Sequence, residues 1–153
     1  MNSDQNPKHR SLKHLPELVG EIKKDPGIVS LYLFGSHAKG KTWAKSDIDL
    51  AVLLDNGFPA QKQFKKRLSL LALASGILKT DDLDLIIMNQ SPPFLNYNIF
   101  KGGQLLYENN EAGKAQRVAF QAHTYNAYFD FQPVAGMLRN AMIERIKEGR
   151  FGG

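Results

Sequence analysis

The stretch Gly35–Leu50, GSHAKGKTWAKSDIDL, connects two apolar runs of the sequence. The run before it, IVSLYLF, is short and rich in β-branched and aromatic residues, which is typical of a strand. The run over Asp47–Leu54, DIDLAVLL, is predicted to be a second strand, and it opens with two aspartates. A Gly-Ser turn, a loop with lysines and a pair of carboxylates therefore stand together where two buried strands end and begin.

The two carboxylates, Asp47 and Asp49, lie two residues apart in the second predicted strand. Because side chains alternate between faces along a strand, both point to one side, while Ile48 and Leu50 point to the core. Like charges this close are unfavourable unless a cation neutralises them. Mg²⁺ prefers such hard oxygen ligands, together with substrate phosphates. The pair therefore predicts a magnesium site.

A third acidic side chain is expected from a third strand, Asp82–Met88, DLDLIIM. Asp84 is flanked by apolar residues there. Asp82 lies two residues earlier, so its side chain would point to the same face, and it is the alternative ligand. If the second and third strands are neighbours, three carboxylates meet, which is what two-metal phosphoryl transfer needs. The sequence leaves the choice between Asp82 and Asp84 open.

The loop before the carboxylates offers groups for a phosphate chain. Gly35 allows the backbone to approach a phosphate closely, and the hydroxyl and amide of Ser36 can bind phosphate oxygens. Lys39 supplies positive charge, and Ser46 completes the candidate phosphate-binding set. Each feature alone is common in ordinary turns, so the interpretation depends on their order along the chain.

The remaining sequence predicts one domain of the α/β (α+β) class, with a small mixed sheet flanked by helices. Residues 1–10 are predicted to be a disordered tail, and residues 11–153 to form the domain. Helices are predicted over residues 11–24, 59–75 and 93–100, and a short edge strand over 104–107. The C-terminal helices, about residues 111–148, are either two helices or one helix kinked near Pro133.

Composition limits the possible functions. The chain of 153 residues has no cysteine, which excludes disulfides and thiolate metal sites. It has no apolar run long enough to span a membrane and no signal peptide, so we expect a cytoplasmic protein without a membrane partner. The net charge of +5 suits a polyanionic ligand such as a nucleotide. No basic run is long enough for a nucleic-acid arm, and direct nucleic-acid binding is not expected.

The order GS, ten residues, DxD and a later acidic residue on another strand resembles the signature of the nucleotidyltransferase superfamily of DNA polymerase β type. The short chain resembles the minimal nucleotidyltransferases, or MNT proteins. Three segments look like the MNT antitoxin of HEPN–MNT (type VII) toxin–antitoxin pairs: SDIDLAVLL, DLDLIIMNQSPPFLNYNIFKGGQLLYE and YFDFQPVAGMLRNAMIERIKEGRFGG. The resemblance covers most of residues 12–152.

This resemblance implies a polymerase-β-type fold and an antitoxin that transfers AMP from ATP to a tyrosine of its HEPN ribonuclease toxin. It implies Mg²⁺, with two ions expected, and the toxin as the partner in a hetero-oligomer. On this basis Gly35 and Ser36 hold the triphosphate, Asp47 and Asp49 bind the metals, and Asp84 is the third ligand. Asp84 is also a candidate for deprotonating the incoming hydroxyl.

One departure from the family pattern is Lys39, where arginine is expected as often; lysine keeps the charge but loses the bidentate fork. Two other functions stay open: transfer to a small molecule such as an aminoglycoside, and neutralisation of a toxin by masking alone. Four basic residues of the second helix are interpreted most simply as a solvated helix end, with an acidic partner as the alternative: Lys62, Lys65, Lys66 and Arg67.

Overall fold

The computed structural model describes residues 11–36, 38 and 47–147, so the predicted tail over residues 1–10 lies outside the described residues. Four strands form one sheet in the order β3-β2-β1-β4. They are β1 (Ile28–Phe34), β2 (Ile48–Leu54), β3 (Leu83–Ile87) and β4 (Gln104–Glu108). The strand β1 pairs antiparallel with β2 and with β4, whereas β2 and β3 are parallel. The predicted mixed α/β architecture is confirmed.

Helices cover both faces of this sheet. They are α1 (Leu15–Ile22), α2 (Gln63–Leu78), α3 (Pro93–Gly102) and α4 (Glu111–Lys147), with short 3₁₀ turns at Ala60–Lys62 and Met88–Gln90. The helices α1 and α2 pack on one face, and α3 and the first half of α4 pack on the other. None of the helices in the described part of the chain is long and apolar enough to cross a membrane.

Several predicted helix boundaries differ from those of the structure. The expected stop of the second helix at Gly76 does not occur, because α2 continues to Leu78, whose side chain is fully buried in the core. The helix ends at Lys79, which takes a left-handed backbone with φ of 56°. The first helix is shorter than predicted. The C-terminal region is a single helix with Pro133 inside it, one of the two predicted arrangements.

The central position of β2 explains its continuous apolar sequence. The strand lies between β1 and β3 and is covered by helices on both faces, so both sets of alternating side chains are buried. Leu50 and Val52 pack towards α1 and α2, and Ala51 and Leu53 towards α3 and α4. Asp49 is the one residue of β2 that is not buried. On the face of α3 and α4, the buried side chains of β2 therefore end at Asp49, whereas Ile48 stays buried on the other face.

Polar contacts anchor the first half of α4 to the sheet. Gln116 Nε2 donates to Asp55 Oδ1 over 2.9 Å, just after β2 ends. Arg117 donates to the Glu108 carboxylate at the end of β4. The hydrogen bond from Gln116, with a second from the Gly57 amide, lowers the pKa of Asp55. These contacts hold α4 across one face of the sheet.

Candidate active site

The turn after β1 brings a glycine against the first acidic side chain. Phe34 and Asp49 are cross-strand partners, and Gly35 follows with a φ of +73°. An ideal Cβ on Gly35 would lie 3.3 Å from Asp49 Cγ and closer still to its Oδ2. A side chain at position 35 would therefore meet the carboxylate and would also take an unfavourable backbone conformation. Gly35 is required by the geometry of this turn.

The parallel pair of β2 and β3 brings two aspartates together. Asp49 and Asp84 are register partners, so their Cα atoms lie on adjacent strands, which are about 4.8 Å apart in a sheet. Asp47 comes just before β2 and Asp82 just before β3, and the Asp82 carbonyl accepts from the Ile48 amide over 3.0 Å. The two aspartates of each pair are two residues apart, and side chains alternate between faces along a strand. All four are therefore expected on the side of the sheet on which α3 and α4 pack.

Arg67, on α2, holds the Asp84 carboxylate. Its Nη2 donates to Asp84 Oδ1 over 3.0 Å, and its Nε donates to the Leu85 carbonyl over 2.7 Å. The Leu85 amide donates to the same Asp84 oxygen over 2.9 Å. Arg67 thus covers the free edge of β3 and places a positive charge beside the carboxylates.

The interpretation of the basic residues on α2 as a solvated helix end was wrong for two of them. Arg67 binds Asp84, and Lys66 forms an ion pair with Asp25. Arg67 lies three residues before the apolar Leu70, which is buried, so the helical period places it on the side of α2 that faces the sheet. This spacing was the signal that the sequence contained.

The acidic residues have the right chemistry for Mg²⁺ because carboxylate oxygens are its usual protein ligands. Asp47 is exposed and Asp49 half-buried, so an ion can approach both. Within residues 11–36, 38 and 47–147, however, no three acidic or histidine side chains are close enough to hold an ion. The Asp84 carboxylate accepts a hydrogen bond from Arg67, so it could bind a metal ion together with Asp47 and Asp49 only by giving up this contact.

A pocket of about 550 Å³ opens beside the Gly35 turn. One wall is formed by Phe34 and Gly35, and the other by the end of α3, with Asn98, Lys101 and Gly102. Because Gly35 lies against the Asp49 carboxylate, this wall of the pocket adjoins Asp49. The sequence alone did not predict Asn98 and Lys101 as site residues, since only the folding of α3 against β1 brings them there.

The remaining candidate residues are only partly covered by the structure. Ser36 lies in the turn next to Gly35 and is half-buried. Lys39 and Ser46 fall outside the described residues.

Comparison with known proteins identifies the family. Residues 17–112, more than half of the chain, match the family described as Polymerase beta, Nucleotidyltransferase. The chain belongs to this nucleotidyltransferase family. The match extends from α1 to the start of α4 and includes the Gly35 turn and the four aspartates. No significant match is found among curated proteins.

Solved structures of toxin–antitoxin complexes resemble this nucleotidyltransferase over most of its length. A toxin–antitoxin complex with AMP-PNP contains a chain of 23% identity, with a TM-score of 0.61, covering 88% of this chain and 97% of that one. A tri-AMPylated Shewanella oneidensis HEPN toxin in complex with its MNT antitoxin gives 20% identity, a TM-score of 0.61, and coverages of 90% and 98%. A chain of the MntA–HepT toxin–antitoxin complex has 20% identity and a TM-score of 0.59, and the match covers 89% of this chain and 98% of that one. At these identities the likeness establishes a shared fold.

Replacing Gly35 with alanine should destabilise the nucleotidyltransferase by about 1–2 kcal/mol, the cost of a left-handed backbone for an L-residue. The new Cβ should also displace the Asp49 carboxylate, so Mn²⁺ should bind more weakly. Urea denaturation and Mn²⁺ titration by electron paramagnetic resonance measure both effects. Gly76→Ala in α2 is the matched control, because its Cβ meets nothing within 4 Å. Equal behaviour of the two variants would contradict the prediction.

Replacing Arg67 with alanine should tighten Mn²⁺ binding to the protein without nucleotide. The substitution frees Asp84 and removes a positive charge, and both changes favour the cation. An ion pair between partly exposed groups contributes up to about 1 kcal/mol, so the gain should be about fivefold at most. Lys65→Ala removes the same charge from an exposed position of α2 and should have a smaller effect. Weaker Mn²⁺ binding in Arg67→Ala would show that Arg67 does not compete for Asp84.

Proposed function

We propose that this nucleotidyltransferase is an antitoxin that transfers AMP from ATP to a tyrosine hydroxyl of a HEPN ribonuclease toxin and so neutralises it. The observation that carries the proposal is the meeting of the Gly35 turn, Asp49 and Asp84 at one end of the sheet. The similar complexes support it, since one holds AMP-PNP and another a tri-AMPylated HEPN toxin. The toxin is the proposed partner, and the cytoplasm is the proposed location.

The proposed reaction joins the tyrosine oxygen to the α-phosphorus of ATP, breaks the bond to the β-phosphate oxygen and releases pyrophosphate. Asp84 accepts the hydroxyl proton in this scheme. Mg²⁺, for which we propose two sites held by Asp47, Asp49 and Asp84, would supply charge stabilisation for the attacking and leaving oxygens. Asp82 is the alternative third ligand, because it shares the parity of Asp84.

The phosphate chain of ATP is assigned to the Gly35 turn. Gly35 leaves room for a phosphate close to the backbone, and Ser36 can donate from its hydroxyl and amide. We include Lys39 and Ser46 in the same binding set on the strength of their positions in the loop. These residues orient the α-phosphate towards the carboxylates, and orientation is a large part of phosphoryl-transfer catalysis.

Neutralisation by masking is the second candidate, and one feature of α4 favours it. The far half of this helix exposes three large apolar side chains at spacings of four, Leu138, Met142 and Ile146, which are 60%, 58% and 56% exposed. A binding surface of this kind would occupy a toxin without any transfer. Masking and AMP transfer can also act together.

The double substitution Asp47→Asn and Asp49→Asn separates the two functions. We expect AMP transfer to fall on the order of 1,000-fold or more, because a catalytic metal contributes several kcal/mol to the transition state. Intact-mass spectrometry of the toxin, after incubation with the antitoxin, ATP and Mg²⁺, measures the AMP added. The control is Glu17→Gln with Glu111→Gln, which also removes two negative charges at exposed positions.

Gel filtration of the same mixtures shows whether each variant still binds the toxin. A double variant that binds the toxin but adds no AMP, and no longer protects cells, supports transfer as the neutralising step. A wild-type protein that adds no AMP but forms a stable complex and protects cells would contradict the proposed transfer and favour masking.

A further inference from the structure

We propose that Lys101 binds the phosphate groups of the nucleotide from the wall of the pocket opposite Gly35. This inference rests on the proposed function, since it assigns a residue to the nucleotide of the same site. Lys101 lies in the last turn of α3, outside the Gly-Ser and DxD segments. Three observations support this role: the position of the helix end, the aromatic ring beside the lysine, and the charge in the pocket.

The position of Lys101 is fixed by a close contact between α3 and β1. The Gly103 amide donates to the Ile99 carbonyl over 2.7 Å and so closes the helix. A Cβ on Gly103 would lie 3.3 Å from the Leu33 carbonyl oxygen and closer still to that of Ile99. The strand β4 then begins at Gln104, the register partner of Leu33. The end of α3 is therefore held against the end of β1, where the Gly35 turn starts.

The ammonium group of the exposed Lys101 side chain lies over the ring of Tyr97. Its Nζ lies 5.7 Å from the ring centroid of Tyr97, within the range of a cation–π interaction. The Tyr97 ring stacks on Tyr128 of α4, with centroids 3.9 Å apart and planes 3° apart, and meets Tyr125 edge-on at 5.1 Å. These contacts restrict the motion of Tyr97, so Lys101 loses less freedom when it binds an anion.

The charge in the pocket favours a phosphate group as the ligand. Lys101 is the only charged side chain among the described residues that line it, and Asn98 adds a neutral amide. The Asp49 carboxylate lies close to Gly35 and would repel a triphosphate that had no nearby cation. The volume of about 550 Å³ is within the range of small-molecule sites, about 300–1,000 Å³. A lysine facing the Gly35 turn across this space can therefore neutralise a bound phosphate chain.

The test is calorimetric titration of the full-length protein with AMP-PNP and Mg²⁺. Lys101→Ala should weaken binding roughly 10- to 100-fold, because a hydrogen bond to a charged group is lost. Lys101→Arg keeps the charge and should recover most of the affinity. Lys114→Ala, at an exposed position of α4, removes the same charge and should bind like the wild type.

Further titrations separate a phosphate contact from a structural role. Adenosine, which lacks phosphate, should bind Lys101→Ala and the wild type with the same affinity. Tyr97→Leu, which removes the ring under Lys101, should weaken AMP-PNP binding and leave adenosine binding unchanged.

The outcomes distinguish this inference from the proposed function. Wild-type protein that binds no AMP-PNP would overturn both. Wild-type binding with an unchanged affinity in Lys101→Ala would overturn the role of Lys101 alone. An equal loss of adenosine and AMP-PNP affinity in Lys101→Ala would also overturn it, since the lysine would then maintain the pocket rather than bind phosphate.

Discussion

The contact between the Gly35 turn and the Asp49 carboxylate is the constraint on which the rest of the site depends. The turn places the Asp49 carboxylate directly against the backbone of Gly35, which has a φ of +73°. Only glycine accommodates both the close contact and this backbone angle. Because Asp49 is also the register partner of Asp84, this one contact fixes the turn relative to β3. The pocket lies between Gly35 and α3, so the contact that fixes the Gly35 turn also determines where the pocket opens. The family match to a nucleotidyltransferase domain covers this whole arrangement.

The order of the strands explains why acidic side chains can gather at this end of the sheet. On the face of α3 and α4, β2 is buried from Leu53 to Ala51, and Asp49 is the first residue on that face that reaches solvent. Several negative charges in one place are unfavourable without a positive partner. Arg67 supplies one from α2 at the edge of β3, and Lys101 of α3 adds a positive charge to the wall of the neighbouring pocket. The helices on both faces of the sheet therefore contribute charge to one site.

Local patterns in the sequence predicted the strands and the faces of their side chains. The alternation of Asp47, Ile48 and Asp49 was enough to place the acidic residues away from the core of α1 and α2, because the period of a strand is two. Arg67 and Lys101 were missed because their roles depend on which helix packs beside which strand. The end of α2 was missed for a similar reason: burial of Leu78 outweighs the helix-breaking tendency of Gly76. The assigned roles of Lys39 and Ser46 stay predictions.

The most direct measurement is a crystal structure of the protein with Mn²⁺ and AMP-PNP, with the metal located by anomalous scattering. We expect manganese bound to Asp47 and Asp49, the triphosphate over Gly35 and Ser36, and Asp84 turned from Arg67 towards the metal. Manganese and nucleotide bound elsewhere, with Asp47 and Asp49 unliganded, would contradict the assignment of this end of the sheet as the catalytic site.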